Sequence, residues 1–171
     1  SSTAAVARKA KALAAQGVDV VDLGLGAPDF STPAFVGRAG MAAIEAGRTK
    51  YTDVAGDPEL RDAIAEKYRR EHGIPISREN VLVTAGAKQA VFNACQVLFE
   101  TGDEVALFCP YWVSFPEMVR LSGAEPLYVP TELETGWKPF AADLAERSTE
   151  RTRGVVLNSP NNPTGAVVDP P

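Results

Sequence analysis

Residues 154–165 read GVVLNSPNNPTG, and this stretch decides the fold. Its first four residues predict a short buried strand, because continuous apolar runs of this length are typical of parallel sheets. Two prolines, two adjacent asparagines and a glycine follow, and X-Pro bonds permit a cis peptide. These residues form turns readily, but the amides of Asn161 and Asn162 would also lie beyond the carboxyl end of a strand, where open α/β sheets bind ligands. For this loop alone, turn and binding site both stay open.

The chain from residue 80 onward alternates between strand and helix patterns. Apolar strands are predicted at 81–84, 104–108, 124–129 and 154–157, with helical segments at 89–99 and 140–147 and a helix or irregular turn at 111–121. Parallel strands are joined by crossover connections of about this length. The pattern therefore predicts an α/β fold with a mostly parallel sheet.

The first 73 residues have a different organisation. Apolar residues at helical spacing predict a helix near residues 6–14, and residues 18–23 are a strand candidate. After a segment broken by glycine and proline, Thr32 is expected to cap a second helix. Asp57 predicts the start of a third helix, which Gly73 would end.

Bulk composition excludes several classes of protein. The 171 residues carry a formal net charge of −5, which argues against nucleic acid as a partner because phosphate binding needs a basic surface. No apolar run suits a membrane span, and the N-terminus does not predict a signal peptide. Cys95 and Cys109 are expected to be thiols of a reducing, cytoplasmic compartment. With His72 as its one histidine, the chain predicts no metal site of the zinc type.

The segment Ala85-Gly86-Ala87-Lys88 joins a predicted strand to a predicted helix. Backbone N–H groups at a helix N-terminus bind anions, phosphate above all, and small residues let a phosphate approach the backbone. Lys88 adds a positive charge. Taken alone, however, the motif is explained better as a tight turn with a solvated lysine.

Three further motifs are ambiguous in the same way. Trp112 follows a proline just past a strand end, and it could stack on an aromatic ligand or belong to the core. Gly26 permits close approach of a ligand to the backbone, but it also suits an ordinary turn. The basic and aromatic pair Lys50 and Tyr51 reads first as an exposed turn.

The order of these motifs is more specific than any one of them. The sequence resembles the class I/II aminotransferases of the aspartate aminotransferase type, which are fold type I enzymes that depend on pyridoxal 5′-phosphate (PLP). The matching blocks are GAPDF at 26–30, KY at 50–51, GAKQA at 86–90, PYWV at 110–113 and NSPNNPTG at 158–165. Ala27 stands where relatives often have glutamate, and little consequence is expected.

The resemblance implies a fold and a division into domains. A three-layer α/β/α arrangement with a mostly parallel sheet is expected, as the first part of the large PLP-binding domain over residues 47–171. Residues 1–46 would form an N-terminal arm and a segment of the small domain. The Cys109–Pro110 and Asn162–Pro163 bonds match bonds that are often cis in relatives.

The resemblance also implies roles in cofactor binding. Gly86, Ala87 and Lys88 would bind the cofactor phosphate, and Trp112 would stack on the pyridine ring. Asn162 would donate a hydrogen bond to the ring hydroxyl oxygen and favour its ionised form.

Further implied roles concern the substrate and a second subunit. Gly26 would lie near the substrate carboxylate, and Trp112 and Asn162 would also face the substrate. Tyr51 would reach the phosphate of the neighbouring subunit, which implies a homodimer with shared active sites.

The residues that carry out the reaction lie after the asparagine loop in relatives: a lysine that forms a Schiff base with PLP, an acidic partner for the ring nitrogen and an arginine for the substrate carboxylate. No catalytic residue is therefore assigned in this chain, which alone is expected to be inactive. Asp169 and Pro170 form a helix-start signal. The chain is accordingly expected to be the N-terminal half of a longer protein, and its last strand an exposed edge.

Three functions remain open at this stage. The first is transfer of an amino group between an L-amino acid and a 2-oxo acid by the parent protein, with acidic substrates such as aspartate favoured by the charge of Lys88 and aromatic ones as the alternative. The second is a short non-catalytic module that binds PLP or pairs with another chain. The third is a PLP-dependent C–S lyase or synthase, because fold does not fix reaction.

Overall fold

The computed structural model describes residues 2–24, 26 and 28–168. Contacts divide the chain into two compact units, Ser1–Tyr51 and Thr52–Pro171. The domain roles expected for residues 1–46 and 47–171 stay a prediction. In chain order the elements are α1 Ser2–Ala15, α2 Ala34–Glu45, α3 Pro58–His72, a 3₁₀ helix Arg78–Asn80, α4 Gly86–Leu98, β1 Glu104–Cys109, α5 Phe115–Leu121, β2 Glu125–Pro130, α6 Ala141–Arg147 and β3 Thr152–Val156.

The first unit contains α1 and α2, and it corrects two predictions. Residues 18–23 are irregular and not a strand, because the Val18 N–H folds back onto the Leu13 carbonyl at the end of α1 instead of joining a ladder. Thr32 does not cap α2, since Pro33 occupies the N-cap position and no side chain bonds there. The predicted helix-start signal at residues 169–170 lies outside the described residues, as does Ala27.

The helix α3 opens the second unit as the sequence predicted. The Asp57 carboxylate accepts a hydrogen bond from the Glu59 N–H at 2.9 Å, and Pro58 is the first helical residue. Gly73 ends the helix with φ of +66°, a left-handed conformation that favours glycine. Local sequence signals therefore suffice to place both ends of this helix.

The sheet is parallel and has the strand order β2-β1-β3 among the described residues. Glu104 pairs with Glu125 on one side, and Leu107 pairs with Val156 on the other. The central strand β1 is covered on both faces, since its residues Glu104 to Leu107 are all buried. This confirms the α/β class with a parallel sheet, and all three strands end at the same end of the sheet, called here its carboxyl end.

The predicted strand at residues 81–84 is absent from this sheet. Val81 is extended, with φ of −115° and ψ of 124°, but the segment is held by isolated bonds: the Val83 N–H donates to the Ala55 carbonyl, and Arg61 donates to the Val81 carbonyl, both at 2.9 Å. A strand requires a ladder of hydrogen bonds to a partner strand, and this segment has no such partner in the described part of the chain. The apolar pattern was read correctly as extended backbone, but the expected fourth strand was wrong.

The core fixes which way α4 points. Buried side chains of α4, β1 and α5, with one residue just before β2, form one cluster: Cys95, Val105, Met118, Val119 and Ala124. Gly154 in β3 passes the residue after α4 so closely that an added Cβ would lie 2.4 Å from the Phe99 ring. The end of α4 thus lies against the middle of β3, whereas Lys88 in its first turn lies beside Trp112, just past the carboxyl end of β1, so α4 begins toward the carboxyl end of the sheet.

Candidate functional site

The loop at residues 158–165 is joined to the segment that follows β1. The Asn161 Nδ2 group donates to the Pro110 carbonyl at 3.1 Å. The Cys109–Pro110 and Asn162–Pro163 bonds are cis, as expected, and Ser159–Pro160 is cis as well. The sheet therefore brings two motifs together that lie about fifty residues apart in the sequence.

Hydrogen bonds within this loop set the course of its backbone. The Asn161 N–H donates to the Ala166 carbonyl, and the Asn161 carbonyl accepts from the Gly165 N–H, both at 2.8 Å. The Asn162 N–H donates to Asn158 Oδ1 at 2.9 Å. Asn162 therefore has a fixed main chain and an exposed side chain, which is free to donate to a ligand.

The N-terminus of α4 is the predicted anion site. The helix begins at Gly86, so Ala85 of the predicted turn at residues 85–88 is the N-cap and the other three residues belong to the first turn, although Gly86 itself has a left-handed φ of +82°. No side chain caps the helix, and the Gln89 amide oxygen accepts from the Ala85 N–H, which lies before the helix. An added Cβ on Gly86 would meet nothing within 4 Å. The Gly86 N–H is already bound to the Thr84 carbonyl at 2.8 Å, so in the first turn of this 13-residue helix the N–H groups of Ala87 and Lys88 are the ones left for an anion.

Lys88 and Trp112 meet beside this helix N-terminus. The Lys88 Nζ lies 5.0 Å from the centroid of the Trp112 ring, within the range of a cation–π contact. The same ring packs edge-on against Phe115 at 5.4 Å and against the core cluster, and it stays half-buried. The core interpretation of Trp112 therefore holds for part of the residue, whereas stacking on an aromatic ligand stays a prediction.

The structure brings only some of the predicted site residues together. Trp112 directly contacts Lys88, and so lies beside the α4 N-terminus that begins at Gly86, while Asn162 belongs to the loop joined to Pro110. Gly26 and Tyr51 are exposed residues of the first unit and are described with that unit alone. The roles of all these residues stay predictions.

Sequence reasoning assigned no role to the side chains that arrange the loop. Asn161 was noticed only as an amide near the strand end, and Asn158 was not singled out. The one usable signal was the spacing of Asn158 and Asn162, because an asparagine can accept from a nearby backbone N–H. The bond from Asn161 to Pro110 carries no such local signal, since its partners are 51 residues apart.

Two titratable groups next to the site are held in their neutral forms. Burial raises the pKa of the Tyr111 hydroxyl, as does its hydrogen bond with Tyr128, whose ring stacks on that of Tyr111 at 5.4 Å. Burial also raises the pKa of the Cys109 thiol, although the charge of Arg147 opposes this. Neither group is therefore suited to act as an acid or base near neutral pH.

The described ranges, 2–24, 26 and 28–168, contain neither a cluster of metal ligands nor a membrane-spanning helix. No group of three or more His, Cys, Asp or Glu side chains there could hold a metal ion. In the same ranges, no helix has both the length and the apolar character needed to cross a membrane.

The geometry defines the class of protein to which this chain belongs. An open helix N-terminus, an aromatic ring beside it and an amide loop at the carboxyl end of a parallel sheet suit a ligand with a phosphate and an aromatic ring. The family model for aminotransferases of class I and II matches residues 18–171. The chain belongs to this family and has the fold type I architecture of aspartate aminotransferase.

Individual relatives agree with this assignment. The probable aspartate/prephenate aminotransferase of Thermus aquaticus is 50% identical over 167 residues, covering 98% of this chain and 44% of the relative. The solved aspartate aminotransferase of Thermus thermophilus with maleate gives a TM-score of 0.92 at 50% identity, over 98% of this chain and 44% of that one. An alanine aminotransferase from Pyrococcus furiosus gives 0.91 at 34% identity, over 98% and 43%. This chain thus spans less than half the length of these relatives.

Proposed function

We propose that the intact protein containing this chain is a PLP-dependent aminotransferase that exchanges an amino group between an L-amino acid and a 2-oxo acid. The observation that carries this proposal is the contact of Lys88 Nζ with the Trp112 ring at the N-terminus of α4. This contact supports the proposal because it brings a positive charge and a helix N-terminus next to an aromatic surface. PLP combines a phosphate with an aromatic ring, so the two features match its two ends.

The residues of this chain fit the cofactor in three ways. The first turn of α4 has no side-chain cap, so the N–H groups of Ala87 and Lys88, which follow Gly86, can donate to the phosphate, and Lys88 adds a positive charge. The open side of Trp112 can cover the pyridine ring. The exposed Asn162 amide can donate to the ring hydroxyl oxygen and favour its ionised form.

These residues bind and orient, whereas the electronic chemistry belongs to the cofactor. When bound, PLP supplies an electron sink that stabilises negative charge at the substrate Cα. The role of this chain is to hold the ring plane against Trp112 and to anchor the phosphate at Gly86. Such positioning restricts the geometry of the reacting bond before reaction begins.

For the substrate we propose an acidic amino acid such as aspartate. Lys88 is exposed at the site and carries a positive charge that would attract a second carboxylate. The relatives from Thermus are described as aspartate or aspartate/prephenate aminotransferases, and one was solved with maleate, a dicarboxylate. The similarity to an alanine aminotransferase is a reason to test this choice directly.

The test is an assay of the intact protein with 2-oxoglutarate and, in turn, aspartate, alanine and phenylalanine. We expect aspartate to be preferred and, with PLP saturating so that any loss of cofactor affinity does not limit the rate, Lys88→Ala to lower kcat/KM for aspartate roughly tenfold, or about 1.4 kcal/mol, without a similar loss for phenylalanine. Lys67→Ala, which removes an equal charge from an exposed ion pair on α3, is the control and should change neither. An unchanged substrate preference in Lys88→Ala would refute the substrate proposal. Absence of amino transfer with every substrate would refute the activity.

We also propose a cytoplasmic homodimer with shared sites. Tyr51 is fully exposed, so its hydroxyl can reach a phosphate held by a second subunit. Both cysteines are free thiols, as expected in a reducing compartment. Sedimentation of the intact protein should give twice the subunit mass, and Tyr51→Phe should weaken binding of phosphorylated cofactor more than binding of pyridoxal. Equal weakening of both would argue against a phosphate contact.

A further inference from the structure

We propose that Asn161 is a positioning residue that holds Asn162 at a fixed place relative to Trp112. This inference rests on the proposed function, which assigns Asn162 and Trp112 to the same aromatic ligand. A ring that stacks on one residue and accepts a hydrogen bond from another requires a constant spacing between them. Asn161 is the residue that sets this spacing.

The first argument is the bond between the two loops. Asn161 Nδ2 donates to the Pro110 carbonyl at 3.1 Å, and Trp112 follows two residues later. The orientation of the amide is determined, because a carbonyl only accepts and must therefore face Nδ2 and not Oδ1. Among the side-chain hydrogen bonds of the described residues, this is the one that links the segment after β1 to the loop at residues 158–165.

The second argument is the main chain of the same residue. The Asn161 N–H and carbonyl both close the turn, with Ala166 and Gly165 as their partners at 2.8 Å. The next N–H, that of Asn162, is held by Asn158 Oδ1 at 2.9 Å. A shift of the Asn161 side chain therefore moves the backbone from which the Asn162 amide projects.

The third argument is the free oxygen of the Asn161 amide. Oδ1 is buried, and no donor among the described residues reaches it. The surrounding cavity is largely apolar, with Leu107, Phe108 and Leu157 among its lining residues. An unpaired buried acceptor is unfavourable, so fold stability by itself does not favour an amide here. The presence of an amide at this position is explained by its Nδ2 bond to Pro110, which fixes the position of the loop.

The test measures whether Asn161 acts on the contact that Asn162 is proposed to make. Pyridoxamine 5′-phosphate and its 3-O-methyl ether are titrated into the intact protein, and binding is followed by tryptophan fluorescence and calorimetry. Neither probe requires a Schiff base, and the ether cannot present an ionised ring oxygen. The ratio of the two Kd values therefore reports the hydrogen bond to the ring oxygen.

Two variants remove the donor in different ways. Asn161→Asp keeps the shape of the side chain, whereas Asn161→Leu keeps its approximate size without adding charge and suits the apolar cavity. Asn93→Asp is the matched control, because the Asn93 side chain forms no hydrogen bond in the described part of the chain. We expect both Asn161 variants to lose most of the preference for the free hydroxyl, roughly tenfold and equivalent to one hydrogen bond, with little change for the ether.

The outcomes separate this inference from the proposed function. If the wild type binds neither probe, the proposed function fails. If the wild type binds and either folded Asn161 variant keeps the full preference for the free hydroxyl, the positioning role is overturned. If both variants unfold without ligand while Asn93→Asp stays folded, Asn161 serves the fold, and the inference is likewise overturned.

Discussion

The two ends of the parallel sheet differ in how completely their polar groups are hydrogen-bonded. At the amino end, where the strands begin, Glu104 is buried yet fully partnered. Its carboxylate pairs with Arg151 and accepts from the Thr149 hydroxyl at 2.7 Å and the Thr152 hydroxyl at 3.4 Å. All these partners lie at or just before β3, so the cluster joins β1 to β3.

At the carboxyl end, the polar groups are incompletely partnered. The N-terminus of α4 has no side-chain cap, the Asn162 amide is exposed, and Asn161 Oδ1 is buried without a donor among the described residues. Strand pairing is in fact less regular at the amino end, where the register of β1 with β3 shifts between Glu104 and Val105, so regular pairing does not explain which end has its polar groups partnered. The difference indicates that the amino end serves stability, whereas the polar groups at the carboxyl end are not all used by the fold, as the proposed function requires.

The largest effect is expected at the amino end. Glu104→Ala should lower the free energy of unfolding by about 2–3 kcal/mol, because it removes the shared acceptor of a buried cluster. Arg151 is mostly exposed and can return to water, which limits the loss. Glu100→Ala removes an exposed carboxylate and should change stability by less than about 0.5 kcal/mol. Urea unfolding measures the change in the free energy of unfolding for both variants. Equal changes would contradict a stabilising role for the Glu104 cluster at the amino end.

A smaller effect on stability, with a clear effect on binding, is expected at the carboxyl end. Gly86→Ala should lower the free energy of unfolding by about 1–2 kcal/mol, because its φ of +82° disfavours a side chain. It should also weaken pyridoxamine 5′-phosphate severalfold by changing the first helical turn. Gly40→Ala, in the middle of α2, should instead stabilise by about 0.5–1 kcal/mol. Unchanged affinity in Gly86→Ala would argue against a phosphate site at α4.

Trp112 tests the contrast between stability and binding within one residue, because it packs on the core and is also partly exposed beside Lys88. Trp112→Phe should reduce stability by about 1 kcal/mol through weaker packing on Phe115. It should also raise the Kd for pyridoxamine 5′-phosphate, because the smaller ring offers less stacking surface and a weaker contact for Lys88. Thermal unfolding and calorimetric titration separate these losses. Lower stability with an unchanged Kd would assign Trp112 to the core alone.

The smallest effect concerns the two thiols. Burial raises the pKa of Cys95 and of Cys109 in the folded state. A raised folded pKa stabilises the protein below the unfolded thiol pKa of about 8.5, and this contribution is lost as pH rises through the folded values. Alkylation at pH 8, followed by mass spectrometry, should therefore be slower in the folded protein than in urea at both positions. Fast reaction at Cys109 alone would show that the carboxyl end of β1 is more open than its burial indicates.

Much of the second unit could be predicted from sequence because its signals are local. The Asp57 cap, the Gly73 end and the apolar runs that became β1, β2 and β3 each depend on a few neighbouring residues. The two errors about strands share one cause. Residues 18–23 and 81–84 have strand-like patterns, but a strand is defined by its partner, and the pattern does not contain the partner.

In the candidate site, too, the residues with local sequence signals could be predicted, and those that act through distant contacts could not. Its parts, Gly86, Lys88, Trp112 and Asn162, could be named from motifs and from the family resemblance. The roles of Asn161 and Asn158 could not, because one acts through a contact to a segment 51 residues away and the other through the path of a turn. The sequence therefore names groups that could touch a ligand, whereas it gives little account of the groups that arrange them.

By itself, the sequence determined the α/β class, the helix ends with strong capping signals, and the family to which the chain belongs. These follow from periodicity, capping chemistry and motif order, which are properties of neighbouring residues. Only the tertiary structure decided the strand order β2-β1-β3, the closed cluster at Glu104 and the contact between Lys88 and Trp112. Those features depend on which distant segments pack together, and packing is settled by the whole core and not by any local stretch.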